Sequence, residues 1–379
     1  SDCLSKMEEL DPEPCIPLLS LTEFEGGNQC PAWNIPNTDF IKEKHLSLLP
    51  MLLTSWREDI VEDLVLKLGK RQLRCNRLLL MCHSEYAVRQ LKDGRRELVL
   101  PEDRISWRGL QLICEWIKKS NDLLQRRHIT TLLSTALFLE IEHLVNHIWH
   151  CLDLSDQFHE DQAFVVSQDS LKLHLNMPLR GLDTAMLRRV RCFFLTLVSS
   201  SEFVQLTIEH ICALLSSDEL SVNCEKEVFF AALRWLSHDW AARKKHLMTV
   251  MQLIRLPLLL RKSLLELRRS TDHEVLNLVI AQPEFQKLIR AAYSDFIIIS
   301  NDDSTALYKL HCSSLKLLRP VRRFFICHDL CTYHRLPSDA CFGDFSYEQF
   351  LSYLRVLQQF PDSWKTLKAE KLPSAFDNA

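Results

Sequence analysis

The sequence predicts a mainly α-helical fold with small β elements, and three observations carry this prediction. Only 7 of the 379 residues are glycine, which disfavours folds built from many strands and tight turns. Hydrophobic residues make up 47% of the chain, which is enough to fill buried cores. Apolar residues also recur at helical spacing, as they do at Val228, Ala231, Ala232 and Trp235. At roughly 150 residues per domain, the chain length predicts two or three domains.

Composition also argues against several classes of function. No run of about eighteen apolar residues occurs, so no membrane-spanning segment is predicted. The 14 cysteines follow no regular spacing, which is typical of reduced thiols and predicts a protein of the cytoplasm, the nucleus or both. Basic pairs are scattered without aromatic residues between them, so no nucleic-acid-binding face is predicted. No phosphate-loop, dinucleotide-binding or nucleophile-elbow motif occurs, and we expect no cofactor.

Residues 1–40 are predicted to form a disordered acidic leader. They carry eight acidic residues and one lysine, a net charge of −7, and five prolines interrupt them. Such a segment buries too little apolar surface to offset the entropy of the chain. Within the leader, a group of apolar residues forms a candidate short docking motif: Ile16, Leu18, Leu19, Leu21 and Phe24.

The next hundred residues predict a small α/β domain. Three short stretches have the residue pattern of strands, at 63–69, Arg71–Cys75 and Glu97–Leu100. Apolar-faced helices are predicted around them, at 45–56, 77–82, 106–117 and 128–152. The turn at Gly69-Lys70 makes the first two strands a hairpin.

This order of elements resembles a BTB/POZ domain, which we expect over residues 41–152. The strand Asp63-Leu64-Val65-Leu66, the helix that begins Asn76-Arg77, and Ser84-Glu85-Tyr86 match the motifs of the family. The resemblance implies a homodimer, with Asp63 near the dimer interface and Arg77 as its partner. It also implies a swapped apolar surface on the first helix, made by Leu48, Leu49, Leu52, Leu53 and Trp56. The alternative is that these residues only fill the core of their own chain.

The resemblance also implies docking on cullin-3, although the chain departs from the family there. The segment between Tyr86 and Glu97 is shorter than in the family, where it carries a hydrophobic-x-Glu element that contacts cullin-3. The nearest candidate here is Leu91-Lys92-Asp93, which ends in aspartate. The helices that follow the BTB domain supply further cullin contacts in the family. The docking candidates are therefore Tyr86, Leu91, Asp93, Phe158 and His159.

Residues 201–260 resemble the BACK domain of Kelch-like proteins. The matching elements are Glu202-Phe203, the stretch 214–220, the helix 228–239 and the stretch 254–260. We expect an all-α BACK domain over residues 153–293. Ser217 or Asp218 is a candidate helix N-cap within it.

Kelch repeats are not expected after the BACK domain, because no Gly-Gly pair recurs at a period near fifty residues. Residues 294–371 instead predict a small α+β domain. It begins with an apolar strand at 295–300, continues with a hairpin-like stretch at 321–329, and ends in a helix at 346–360 capped by Ser346. This segment resembles the uncharacterised domain that follows BTB and BACK in some proteins without Kelch repeats.

One cluster in this segment has metal-ligand chemistry. Cys327, Cys331, His334 and Cys341 are weak candidates for a structural zinc site, since zinc prefers thiolate and imidazole ligands. Their spacing is not that of a standard zinc finger. The alternative is a loop of reduced thiols, and no metal is predicted.

The combined resemblances imply an adaptor without catalytic residues. The expected protein is a homodimer and the substrate-recognition subunit of a cullin-3 ubiquitin ligase, with an unknown protein substrate bound by the C-terminal domain. A second hypothesis is a dimeric scaffold in a nuclear, cytoskeletal or germline complex that has lost cullin binding. A third makes the C-terminal domain a metal-dependent module.

Overall fold

The structure is a computed structural model that describes residues 18–21, 33, 61–118, 124–154, 158–173, 179–269, 271, 273–300, 321–337 and 344–372. These residues form two compact units. The first unit is Asn28–Met186, and the second unit combines Ser1–Gly27 with Leu187–Ala379. The predicted helix 45–56, with Leu48, Leu49, Leu52, Leu53 and Trp56, lies outside the described residues, and so does Cys341.

The first unit contains the three strands that the sequence predicts. β1 (Leu64–Leu68) pairs antiparallel with β2 (Arg71–Cys75), and it pairs parallel on its other side with β3 (Glu97–Leu100). The β1–β2 turn uses Gly69 at a φ of +56°, a conformation that favours glycine. Leu64, Leu66 and Leu68 of β1 are buried, so one face of the sheet lies on the core.

Short helices cover this sheet. They are α1 (Arg77–His83), α2 (Glu85–Gln90), α3 (Trp107–Lys118), α4 (Ile129–Phe138), α5 (Glu142–Asp153) and α6 (Glu160–Lys172). The stretch 128–152, predicted as helical throughout, is interrupted between α4 and α5. The interruption contains Glu140, which has a positive φ of 55° and cannot continue a right-handed helix.

The second unit is helical with one two-stranded sheet. After α7 (Arg180–Arg189), which links the units along the chain, its helices are α8 (Phe194–Ser199), α9 (Ser201–Val204), α10 (Ile208–Ser216), α11 (Glu225–His238), α12 (Trp240–Arg243), α13 (Leu247–Met251), α14 (Arg261–Glu266), α15 (Glu274–Ile280), α16 (Pro283–Ser300) and α17 (Tyr347–Gln359). None of the described helices is long and apolar enough to cross a membrane.

Helix α11 is the centre of this unit. Every residue from Glu225 to Ser237 is buried, so the helix is enclosed on all sides rather than on the single face predicted around Trp235. The Trp235 indole N–H donates to the carbonyl of Leu206 at 2.8 Å, as a buried tryptophan requires.

Two strand predictions for the C-terminal segment are wrong. Residues 295–300 are the last turns of α16, because their run of isoleucines continues a helix rather than starting a strand. The stretch 321–329 forms no hairpin. Its strand β5 (Phe324–Phe325) pairs parallel with β4 (Ser221–Val222), about a hundred residues earlier in the chain.

Of the two predicted helix caps, one is confirmed and one is wrong. Ser346 caps α17, and its capping box with Gln349 confirms the predicted start of that helix. Ser217 is instead the C-cap of α10, so its predicted N-cap role is wrong. In the leader predicted to be disordered, five residues are described, and two of them, Leu21 and Trp33, are buried at 2% and 0% exposure.

Candidate functional site

Three consecutive charged residues are buried at the start of α11. Glu225, Lys226 and Glu227 are only 5%, 5% and 0% exposed. Burying a charge is costly unless a partner of opposite charge or a set of hydrogen bonds compensates it. Each of the three finds that partner in the C-terminal segment. We call these three residues, together with Arg323, His334 and Asp344, the charged junction.

Arg323 pairs with the first of these charges. Its Nε lies 3.0 Å from Oε2 of Glu225 and its Nη2 lies 3.2 Å from Oε1, a bidentate arrangement. The guanidinium also donates to the carbonyls of Leu215, at 2.6 Å, and of Ser217. Since Arg323 directly precedes β5, this pair fixes the start of that strand against α10 and α11.

Glu227 accepts hydrogen bonds from three directions. The Tyr333 hydroxyl and the His334 Nε2 each lie 2.8 Å from its Oε1, and the backbone N–H of Asn223 lies 2.6 Å from its Oε2. The other ring nitrogen of His334, Nδ1, accepts from the backbone N–H of His328 at 2.9 Å. Nε2 therefore carries the proton that is donated to Glu227.

Lys226 completes the junction. Its ammonium pairs with Asp344, whose Oδ1 also accepts from the Ser263 hydroxyl at 3.0 Å. The same ammonium lies 5.3 Å from the ring centre of Phe345, within cation–π range. Glu266 borders this cluster. A hydrogen bond between the carboxyl groups of Glu266 and Asp344 raises the pKa of Glu266.

Aromatic rings surround the junction on the C-terminal side. The Tyr333 and Phe345 rings stack with centroids 3.8 Å apart, and the His328 Nδ1 lies 2.7 Å from the Tyr353 hydroxyl. Burial lowers the pKa of His328, and the nearby His334 lowers it further. The loop over this cluster turns Leu330 and Leu336 to solvent, at 46% and 52% exposure. These two side chains form the exposed apolar surface of that loop.

A cavity lies beside the junction, lined by Glu225, Lys226, Arg323, Asp344 and Phe345 among others. Its volume of about 160 Å³ is small. Small-molecule sites usually measure roughly 300–1,000 Å³. The cavity is therefore suited to a few ordered waters around the charges rather than to a substrate molecule.

In the part of the chain that the structure describes, the zinc candidates do not form a metal site. No three histidine, cysteine or acidic side chains converge there in a way that could hold a metal ion. Both ring nitrogens of His334 are already engaged, with Glu227 and His328. Burial raises the pKa of the Cys331 thiol to about 12, which keeps it protonated at neutral pH.

The docking candidates around α2 differ in exposure. Tyr86 is partly exposed and packs on Phe138, with ring centroids 4.9 Å apart. Asp93 is exposed on the following turn. Leu91 is fully buried, and its carbonyl accepts from the Arg77 guanidinium at 2.5 Å. Leu91 therefore packs in the core of this chain, and its contact with a partner stays a prediction.

The two docking candidates after α5 also differ in exposure. His159 is partly exposed and directly precedes α6. Phe158 is 0% exposed, and its ring packs against that of Trp33 with centroids 5.7 Å apart. The Trp33 backbone N–H donates to the carbonyl of Leu124 at 3.1 Å. A leader residue thus covers Phe158, which belongs to the core of the first unit.

Asp63 and Arg77 meet through the backbone of Arg77, and their place at a dimer interface stays a prediction. Asp63 is exposed, and its Oδ1 accepts from the backbone N–H of Arg77 at 2.8 Å. The guanidinium of Arg77 bonds elsewhere. Because Arg77 is the first residue of α1 and the Asn76 side chain accepts from Leu79, Asp63 helps to cap this helix.

No sequence pattern predicted the charged junction. The available signal is the run Glu225-Lys226-Glu227, three charges that open a largely apolar helix. A solvated first turn would give the same pattern. Their partners lie 98 to 118 residues further along the chain, and nothing in the local pattern identifies them.

Three family models match the chain in succession. A BTB/POZ domain model matches residues 53–155, and a model described as BTB And C-terminal Kelch, or BACK, matches residues 163–269. A domain of unknown function, DUF4734, matches residues 278–367. None of these three models is a Kelch repeat. The DUF4734 match contains Arg323, His334 and Asp344, so the charged junction joins residues of the second match to residues of the third.

Proposed function

We propose, from the premise that this chain is a BTB–BACK protein with a C-terminal DUF4734 domain, that it is a homodimeric adaptor without catalytic activity of its own. The BTB domain forms the dimer and docks on cullin-3, and the DUF4734 domain recruits a protein substrate for ubiquitin transfer. The location that fits this role is the cytoplasm, the nucleus or both.

The charged junction is the observation that carries the proposal. It anchors the DUF4734 domain to the central helix of the BACK domain through two buried ion pairs and the bonds of Glu227. Buried ion pairs with close opposite charges favour one arrangement, because any other would leave a buried charge without its partner. A protein bound at the exposed Leu330 and Leu336 therefore sits on a fixed base rather than on a flexible tail. An adaptor that presents a substrate to a second protein needs such a base.

Dimerisation supports the same role. Two DUF4734 domains in one assembly raise the effective concentration of the second binding site once the first is occupied. A substrate that carries two or more copies of the bound segment is therefore bound more tightly than by a single weak contact through a small apolar surface.

One observation favours the alternative, a dimeric scaffold without cullin binding. The side chain of Leu91, the nearest candidate for the hydrophobic position of the docking element, is fully buried. Asp93 at the acidic position remains exposed. In the scaffold hypothesis the BTB domain still forms a dimer, and the DUF4734 domain joins a nuclear, cytoskeletal or germline complex.

Calorimetry of the full chain with the N-terminal domain of cullin-3, together with light scattering of the chain alone, separates the two. A dimer that binds with micromolar or tighter affinity supports the adaptor. A dimer that releases no heat supports the scaffold, and a monomer contradicts both.

A matched pair of variants tests the docking surface. The side chains of Asp93 and Asp362 are 78% and 77% exposed, and each has a basic neighbour nearby. We expect Asp93→Lys to weaken cullin binding at least about tenfold, in the range that charge reversal at an interface produces. Asp362→Lys, in the DUF4734 domain, should leave the affinity unchanged. Equal affinities for the two variants would remove Asp93 from the docking surface.

A further inference from the structure

A short piece of the acidic leader is seated on the BACK domain. Leu19 forms a parallel β-bridge with Ser200, and its carbonyl accepts the backbone N–H of Ser201 at 2.8 Å. Leu21 is 2% exposed, while Leu18 remains exposed. Residues 18–20 therefore bind in an extended conformation, and Leu21, which is helical, is the buried anchor.

One carboxylate binds this peptide through hydrogen bonds. Glu202, in the first turn of α9, accepts the Ser20 hydroxyl at 2.7 Å on Oε1 and the Leu21 backbone N–H at 3.0 Å on Oε2. The Ser201 hydroxyl donates to Oε2 at 3.1 Å. Every contact that the structure describes for this carboxylate comes from an uncharged donor. The site therefore accepts Ser20 only as a neutral hydroxyl.

We propose that Ser20 is a phosphorylation site, and that its phosphate releases the leader from the BACK domain. A phosphoserine carries roughly −1.5 to −2 charges at neutral pH and no longer has a hydroxyl proton to donate. Placed on Glu202, it replaces a hydrogen bond with a repulsion between two anions at close range. This inference is independent of cullin docking, since it concerns only the leader and the BACK domain.

The residues after Ser20 identify the class of kinase. Glu23 and Glu25 follow at the third and fifth positions, in a leader whose net charge is −7. Such a sequence complements a protein kinase with a basic substrate groove, which selects acidic residues on the C-terminal side of its target serine. Thr22 is a second hydroxyl in the same stretch, and the experiment below separates the two.

The chemistry is ordinary phosphoryl transfer from ATP. The Ser20 Oγ bonds to the γ-phosphorus, the bond from that phosphorus to the bridging oxygen of ADP breaks, and the serine proton passes to the catalytic carboxylate of the kinase. Ser20 is partly exposed in the docked state. Ser20 becomes fully accessible when the docked residues open locally, and phosphorylation traps that open state.

The test treats the full chain with an acidophilic serine/threonine kinase and Mg-ATP. Mass spectrometry locates the phosphate, and amide hydrogen exchange measures opening at residues 18–21 and 199–204. We expect phosphate on Ser20 and exchange at least about tenfold faster in both segments. Ser20→Ala should keep slow exchange after the same treatment, because the two backbone hydrogen bonds of the segment remain.

Glu202→Gln distinguishes repulsion from simple loss of the hydroxyl. The neutral amide retains an acceptor and carries no charge, so phosphorylation of this variant should speed exchange far less than in the parent chain. Thr22→Ala should respond as the parent chain does. The proposal is overturned by an unmodified Ser20 under conditions that phosphorylate an acidic control peptide. It is equally overturned by unchanged exchange in the phosphorylated chain, or by an equal response of Glu202→Gln.

Discussion

The first unit has ion pairs at its surface, whereas the second unit also has ion pairs that are fully buried. In the BTB domain the pairs Lys67–Glu97, Arg89–Glu140 and Lys118–Glu62 lie at the surface, with side chains 30% to 58% exposed. In the charged junction, Glu225–Arg323 and Glu227–His334 are at most 3% exposed. Surface pairs are screened by water and contribute little, whereas a buried charge without its partner is strongly destabilising. The BTB fold therefore depends on its apolar pattern, and the union of BACK with DUF4734 depends on correct pairing.

The largest expected effect comes from Glu227→Ala. The change leaves the Tyr333 hydroxyl, the His334 Nε2–H and the Asn223 N–H buried without their acceptor. At about 1–3 kcal/mol for each unsatisfied group, we expect unfolding of the second unit to need about 4 to 6 kcal/mol less. Urea denaturation followed by tryptophan fluorescence measures the loss. Glu274→Ala, at an exposed acidic residue that opens α15, is the control and should change stability by less than about 0.5 kcal/mol.

A double-mutant cycle at Arg323 and Glu225 should give the next largest effect. Arg323→Met leaves Glu225 as an uncompensated buried charge and should cost about 3 to 5 kcal/mol. Adding Glu225→Met removes that charge, so the double variant should be more stable than Arg323→Met alone. Strictly additive losses in the free energy of unfolding, measured by urea denaturation, would show that Arg323 and Glu225 are not coupled. This buried pair would then behave like the surface pairs of the first unit.

Acidification should weaken the second unit by a smaller amount. Burial and the neighbouring His334 lower the pKa of His328 in the folded chain, while the unfolded value is about 6.5. Below about pH 6.5 the unfolded chain binds more protons than the folded one, so the free energy of unfolding falls as the pH decreases. The raised pKa of Glu266 acts in the opposite direction, but that side chain is 44% exposed and its effect is screened.

Urea denaturation at about pH 7.5 and about pH 5 measures this dependence. His328→Gln has no titrating ring and should show a shallower loss over the same range. An equally steep loss in the variant would assign the pH dependence to other groups.

The smallest expected effect comes from Arg89→Ala in the BTB domain. Arg89 makes two hydrogen bonds to Glu140, at 2.5 and 2.6 Å, but both side chains are exposed. We expect a change in Tm within the scatter of repeated thermal scans, and no added sensitivity to salt. A clear loss of stability here would show that an exposed pair can matter as much as a buried one in this protein.

Sequence patterns were sufficient where neighbours in the chain are neighbours in the fold. The hairpin of β1 and β2 follows from alternation across Gly69, and the start of α17 follows from the Ser346–Gln349 capping box. Both features are complete within a few residues. Local chemistry decides them, and the sequence displays that chemistry directly.

Sequence patterns failed where the contacting residues lie far apart in the chain or where an element is completely buried. The isoleucines at 297–299 have the residue type of a strand, yet they end α16. β5 looks like part of a hairpin, but its partner is β4 at residue 221. Helix α11 is buried on every side, although its sequence pattern predicts a single buried face. Each error reflects tertiary contacts that override a local preference.

The spacing of the charged junction has a consequence for how the protein is made. Lys226 precedes Asp344 by 118 residues. At about 5–20 residues per second, a ribosome needs about 6 to 24 s to pass from one to the other. During that interval the BACK domain has emerged from the ribosome with charges that belong in its interior and no partners for them. Its central helix gains the last of these partners only once residue 344 has been translated, so a chain cut short before residue 323 leaves the BACK domain unfinished as well.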